Sequence, residues 1–204
     1  MKLFSRTGRQ AEAGKPIIIV SGLPRSGTSM MMRMLAEGGL PVITDEIRRP
    51  DEDNPNGYFE LEIVRQLREG DSEWLKGANG KGVKVISSLL EFLPPSHRYK
   101  IIFMERDTRE TLVSQKKMLE HRGEQARISD EEMEQQFHHH LTAIRPWLVR
   151  QPNMEVLYVK YNALLAEPGR FCDQIAGFLE MPLDRQRMLT VPNTQLYRNR
   201  TGGQ

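Results

Sequence analysis

Short apolar runs of strand length alternate along this chain with longer stretches of helical periodicity. Pro16-Ile17-Ile18-Ile19-Val20 is β-branched and predicts the first strand. Met30-Met31-Met32-Arg33-Met34-Leu35-Ala36 is built of good helix formers, and Gly38-Gly39 predicts where that helix ends. Val42-Ile43 predicts a short strand, residues 61–69 a short helix, and Val83-Lys84-Val85-Ile86 a second core strand with Ser87-Ser88 at its carboxyl end. Leu93-Pro94-Pro95 closes that unit, and Lys100-Ile101-Ile102-Phe103-Met104 predicts a third core strand, followed by a helix over 108–119. Ser129 and Glu132 carry the spacing of a capping box, after which Met133, Phe137, Leu141, Ile144 and Leu148 trace one helical face. Val156-Leu157-Tyr158-Val159 predicts the fourth core strand. Glu167-Pro168-Gly169 restarts a helix that buries Phe171, Ile175, Phe178 and Leu179, and 184–189 predicts a short last helix. Strands alternating with helices imply a three-layer α/β domain with a mostly parallel central sheet. Residues 1–15 read as a polar arm and residues 16–204 as one domain, with no internal repeat.

Between the first strand and the first helix lies Ser21-Gly22-Leu23-Pro24-Arg25-Ser26-Gly27-Thr28-Ser29. Strand, glycine loop and helix together are the context of a phosphate loop. The glycines let the chain turn tightly, so successive N–H groups point at one anion, and the helix dipole adds to the site. Gly22 and Gly27 fit the Walker A spacing and Ser29 fills its hydroxyl position, but Thr28 stands where that motif has Lys. The Lys normally reaches the β- and γ-phosphates of a nucleoside triphosphate, so its absence argues against an ordinary ATPase or kinase. The nearest cation is Arg25, inside the loop.

Length and composition sharpen this picture. The 204 residues suffice for one full core, and 38% hydrophobic with 27% charged residues is a globular balance. A net charge of +2 gives no footprint for nucleic acid, and the first fifteen residues carry four cations against one acid. That arm lacks the apolar stretch of a signal peptide, and no run approaches a membrane span, so a cytoplasmic location is expected. The single cysteine, Cys172, excludes an internal disulfide and sits at helical spacing that suggests a small core residue. His138-His139-His140 point in different directions on a helix, so they form no compact metal triad, and at most one faces the core or a cleft. No metal constellation is evident in the sequence. The polar, turn-rich loop over 44–60 is long for a compact domain and points to binding; a solvated charged surface is the competing reading.

Three stretches taken together resemble the sulfotransferase family, whose members use 3′-phosphoadenosine 5′-phosphosulfate (PAPS) as sulfuryl donor. Pro24-Arg25-Ser26-Gly27-Thr28-Ser29 resembles the family's 5′-phosphosulfate loop. Glu105-Arg106-Asp107, running on to Ser114, is similar to its 3′-phosphate motif, in which an Arg after a strand and a Ser eight residues later bind that phosphate. Tyr161-Asn162-Ala163-Leu164-Leu165-Ala166-Glu167-Pro168 and the helix after it are similar to a third family stretch. The resemblance spans 17 to about 185 and is closest to small bacterial-type members. It implies a P-loop NTPase-like α/β fold, PAPS as donor with 3′-phosphoadenosine 5′-phosphate (PAP) as product, and no metal. Arg106 at a strand end can fork onto phosphate oxygens; the competing reading is a surface pair with Glu105 or Asp107, and for Ser114 a helix-surface hydroxyl. Tyr161 matches a family position near the adenine, and a core aromatic is the alternative. Lys84 matches a family lysine, but Ile86 stands where many cytosolic members place a catalytic His. Other branches use a glutamate soon after the phosphate-loop helix, which nominates Glu46 first and Glu60 second as the base. Arg198 and Arg200 loosely echo the family's basic segment that closes over the nucleotide.

The sequence therefore implies sulfuryl transfer from PAPS to a hydroxyl or amine of a small-molecule, carbohydrate or lipid acceptor. Arg25 and Lys84 would stabilise charge on the transferring group. Two alternatives remain open at this point: a divergent P-loop kinase, and a non-catalytic PAP- or PAPS-binding module.

Overall fold

The computed structural model describes residues 14–45, 57–121, 123–124 and 128–192. The apolar runs pair as five strands: β1 (Ile17–Gly22), β2 (Val42–Ile43), β3 (Gly82–Lys84), β4 (Tyr99–Glu105) and β5 (Met154–Lys160). Their order is β2-β3-β1-β4-β5, and every pairing is parallel. Parallel strands need crossovers, which α1 (Thr28–Glu37), α2 (Thr108–His121) and α3 (Asp130–Val149) help to supply. After β5 the chain forms α4 (Tyr161–Ala166), α5 (Pro168–Leu179) and α6 (Arg185–Leu189).

Alternation along β1 divides the core in two. Ile18 and Val20 face α1 and α4–α6 and pack with Met30, Met31, Met32, Met34, Leu164 and Ile175. The methionine run is thus interior packing, and Cys172 lies beside it with 1% exposure. Burial pushes the Cys172 thiol pKa up, which suits a packing residue rather than a nucleophile. Ile17 and Ile19 face the other way, onto Val83, Ile101, Phe103, Ile144 and Leu148. Both faces of the sheet are covered, as the near-continuous apolar strands require.

β1 is also the point where the strand order reverses, since β3 lies on one side of it and β4 on the other. Ligands of open parallel sheets bind beyond the carboxyl ends at such a point. The register pairs Gly22 with Met104, so the loop after β1 and the Glu105-Arg106-Asp107 turn after β4 leave the sheet side by side.

Several elements differ in detail from the periodicity. The strand expected over 83–86 pairs only through Lys84, although the Val85 N–H still donates to the Val20 carbonyl at 3.0 Å. The chain then turns into a 3₁₀ helix, Ser87–Phe92, ahead of Pro94. The short helix expected over 61–69 is a 3₁₀ helix, Glu62–Glu69, and Trp74 sits in another, Glu73–Gly77. The capping box of α3 forms as expected, with Ser129 Oγ accepting from the Glu132 N–H at 3.2 Å and Glu132 accepting from the Ser129 N–H at 3.0 Å. Among the described residues no helix is long and apolar enough to cross a membrane.

One buried charge ties the layers together. Lys100, 4% exposed on β4, donates to the Phe178 carbonyl at the end of α5 and to the Glu180 carboxylate, both at 2.7 Å. Lys100→Ala leaves that carbonyl without its charged donor. The expected loss is about 2 kcal/mol, read as a lower urea midpoint with an unchanged slope. Lys100→Met, which keeps the stem's volume, is expected to lose less.

Candidate active site

The glycine loop needs its glycines for space as well as for conformation. Gly22 has φ +146°, and a Cβ there would lie 2.6 Å from the Met104 carbonyl and 2.5 Å from Ser26 Oγ. Gly27 has φ +99°, and a Cβ there would lie 2.4 Å from the Tyr161 ring. Arg25 occupies the left-handed region at φ +67°, a conformation uncommon for a residue with a side chain. Gly27 caps α1 without a side-chain hydrogen bond, which leaves the first amides of that helix for another acceptor. Ser26 is 1% exposed, and its Oγ, like Ser21 Oγ, is buried with no hydrogen-bond partner among the described residues. A buried orphan hydroxyl in the turn that leads into a helix N-terminus fits a bound oxyanion. Pro24 is exposed, while Thr28 and Ser29, the first residues of α1, are half-buried.

The second wall comes from β4 and α2. Asp107 caps α2, its Oδ1 accepting from the Arg109 and Glu110 N–H groups at 2.9 and 3.1 Å, while Glu105 accepts from Arg145 at 2.6 Å. Neither acid is therefore Arg106's ion-pair partner. Arg106 pairs instead with Glu110 one turn on, Nε to Oε2 at 3.1 Å, with both side chains buried. Its Nη1 donates to the Arg25 carbonyl at 3.2 Å. The Tyr161 ring is 7% exposed and carries the Arg106 guanidinium 4.7 Å from its centroid. Burial pushes the Tyr161 phenol pKa up, and the nearby Arg106 cation partly opposes the shift. Ser114 is 6% exposed, so it is no helix-surface hydroxyl, and its Oγ accepts from Arg25 Nε at 3.0 Å. The phosphate loop and the Arg106/Ser114 pair thus meet through Arg25.

The third wall is the segment that returns from the long loop. Lys84 Nζ donates to the Tyr58 carbonyl and stands 3.8 Å from the Glu60 carboxylate. Ser29 Oγ reaches the same Tyr58 carbonyl at 3.5 Å, so this backbone group links the first turn of α1 to the end of β3. The Glu60 carbonyl accepts from Thr44 Oγ1 at 3.0 Å and from the Asp45 N–H at 3.2 Å. Glu46, Arg198 and Arg200 lie outside the described residues.

Two contacts were not singled out from the sequence. Glu110, with Asn162 donating to its second oxygen at 3.4 Å, fixes Arg106; its i, i+4 spacing was the available signal. His140, alone of the three consecutive histidines, is half-buried, and its Nε2 lies 2.9 Å from Ser87 Oγ. Among the described residues no three His, Cys, Asp or Glu side chains gather as a metal site.

Residues 15–199 match the family model of the sulfotransferase domain. The chain belongs to the sulfotransferase family. No curated protein matches the sequence. Among solved structures, the sulfotransferase domain of the Synechococcus PCC 7002 olefin synthase is similar at 15% identity and a TM-score of 0.51, over 94% of this chain and 86% of that one. Mouse sulfotransferase SULT7A1, complexed with PAP, is similar at 13% identity and a TM-score of 0.53, over 92% of this chain and 66% of that one. A retinol dehydratase in complex with androsterone and the inactive cofactor PAP is similar at 18% identity and a TM-score of 0.46, over 89% of this chain and 65% of that one. The chain therefore spans about two thirds of the length of the mouse protein and of the dehydratase. At these identities the likeness is one of fold.

Proposed function

We propose that this sulfotransferase moves a sulfuryl group from PAPS to a hydroxyl or amine of a small-molecule, carbohydrate or lipid acceptor. The observation that carries the reading is the junction at Arg25. Its Nε holds Ser114 and its carbonyl holds Arg106, which ties the loop suited to a 5′-phosphosulfate to the pair suited to a 3′-phosphate. A single nucleotide with anions at both ends fits such a junction better than a nucleoside triphosphate, whose charges lie in one chain.

Residues 24–29 would hold the 5′-phosphosulfate, with the Ser26 hydroxyl and the uncapped amides of α1 as donors. Arg106 and Ser114 would take the 3′-phosphate, Tyr161 would flank the nucleotide through Arg106, and Arg198 and Arg200 would close over it. PAPS supplies an activated sulfuryl group whose leaving group is the 5′-phosphate of PAP. That group carries less charge than a phosphoryl group, so fixed cations suit it. Arg25 and Lys84 stabilise charge on the equatorial oxygens and the leaving phosphate. A carboxylate of the 44–60 stretch takes the acceptor's proton. Glu46 stands first by its place after the phosphate-loop helix, and Glu60 second by its 3.8 Å approach to Lys84.

The test is PAP titration by calorimetry beside transfer of radiolabel from [³⁵S]PAPS to an acceptor panel. PAP is expected to bind without magnesium and more tightly than ATP with magnesium; the opposite order would favour a kinase. Glu46→Gln and Glu60→Gln are each expected to keep PAP affinity. The one that removes the base should lower kcat about 10²–10⁴-fold. PAP binding with no transfer to any acceptor, and no effect of either substitution, would mark a non-catalytic binding module.

A further inference from the structure

His140 lies on α3 and contacts Ser87, just beyond the carboxyl end of β3. Phe137, one turn earlier, packs on Leu23 and Leu112, and Leu141 joins the same cluster. Leu23 is the loop residue that follows Gly22. On β3, Lys84 pairs with Val20, so Ile86 and Ser87 leave the sheet at the level where the phosphate loop begins. The His140–Ser87 contact therefore lies beside that loop, on the face of the sheet away from α1. Ser87 is only three residues beyond Lys84.

The two ring nitrogens of His140 have different surroundings. Nε2 is held 2.9 Å from the Ser87 hydroxyl, which is 2% exposed. Nδ1 has no hydrogen-bond partner among the described residues, and the side chain is partly open to solvent. Burial holds the imidazole's proton affinity below the ordinary histidine range; Glu91, on the adjoining 3₁₀ helix, opposes the shift and His139 adds to it. In the tautomer in which Nε2–H donates to Ser87, Nδ1 carries a lone pair.

We propose that His140, oriented by Ser87, is an acceptor-binding residue that accepts a hydrogen bond from a second O–H or N–H group of the acceptor. This rests on the sulfuryl-transfer reading, in which the reacting hydroxyl or amine faces the carboxylate base instead. The acceptor class is then a molecule with two hydrogen-bond donors, of the diol, catechol, sugar or amino-alcohol type. A lone alcohol or phenol leaves Nδ1 without its donor. An anionic group at this point faces the imidazole lone pair and the Glu91 carboxylate, and is disfavoured.

The experiment uses the full chain loaded with PAP and labelled in its histidine rings. Catechol, glucose and 2-aminoethanol are titrated in, with phenol and ethanol as single-donor matches, and the ring signals are followed by NMR. The His140 signals are expected to move with at least one two-donor probe and not with its single-donor match, while those of His138 and His139 stay in place. In parallel, acceptor KM and kcat are measured with PAPS. His140→Ala is expected to raise the KM of a two-donor acceptor about 10-fold, the value of one hydrogen bond of ~1.4 kcal/mol, with PAP affinity and kcat within twofold. His140→Gln, which keeps an acceptor atom, restores part of the loss, and His138→Ala changes nothing. In the native chain the same KM should rise as pH falls through the lowered His140 value. Ring signals that no probe moves, or that single-donor probes move equally, overturn the proposal, as does an unchanged KM in His140→Ala. Selective movement of the His140 signals with no transfer from PAPS keeps the subsite and refutes sulfuryl transfer instead. Thermal melts of His140→Gln and Ser87→Ala separate a folding defect from a lost contact.

Discussion

Replacing Arg106 with Ala is expected to damage the fold and the nucleotide site together, and the two effects can be separated. Arg106 and Glu110 are buried partners, with side chains 7% and 4% exposed. Removing the guanidinium breaks this ion pair and leaves the Glu110 carboxylate buried, with Asn162 among its donors. Breaking a buried ion pair by removing one partner costs about 3–5 kcal/mol. In a domain of this size that is a fall of roughly 10 °C in Tm. The same substitution removes the fork proposed for the 3′-phosphate and the cation over Tyr161, so PAP affinity is expected to drop about 100-fold or more. The double variant Arg106→Met/Glu110→Gln decides between structural and binding roles. Glutamine keeps the Asn162 contact without a charge, and methionine fills the arginine stem's space, so most of the stability should return. PAP affinity should not. Recovery of PAP binding in the double variant would show that Arg106 only props the loop.

The parts of this site differ in how openly the sequence shows them. The glycine loop was legible because two positions cannot carry a Cβ: one is closed by the Met104 carbonyl and Ser26, the other by the Tyr161 ring. The parallel sheet was legible because its strands are apolar on both faces and separated by helical periods. The meeting of Arg25 with Ser114 was not, because it spans 89 positions and depends on β1 and β4 being neighbours at the reversal of strand order. Nothing local in either segment specifies that neighbourhood. Lys84 was identified from the family pattern, but its hold on the Tyr58 carbonyl depends on Tyr58 lying between β3 and the first turn of α1. The 3₁₀ helices at 73–77 and 87–92 escaped for another reason: they are too short to show a period. His140 could be narrowed only to one of three, since consecutive helical residues share composition but not direction; the register of α3 against Ser87 selects it.

Arg25 is where the largest loss of turnover is expected without loss of structure. The side chain is half-buried at the loop tip, and its backbone already sits at a positive φ that an L-residue tolerates poorly. Arg25→Ala keeps the strained backbone and removes the cation; Arg25→Gly removes both. Melting temperature is therefore expected to change little in the first and to rise slightly in the second. In both, transfer from PAPS is expected to fall about 10²–10³-fold in kcat, the scale of one lost donor to developing charge in a water-poor site. PAP affinity should fall much less, because Arg106, Ser114 and the loop amides remain. Arg25→Lys keeps a point charge but loses the planar fork that spans the transferring group and Ser114, so an intermediate kcat is expected. Ser114→Ala completes the comparison. It frees the Arg25 guanidinium from one partner while leaving its charge in the loop, so PAP affinity should weaken more than kcat. If Arg25→Ala instead lowered PAP affinity and kcat in equal measure, the arginine would be a ground-state anchor for the nucleotide, and the charge on the transferring sulfuryl group would fall to Lys84.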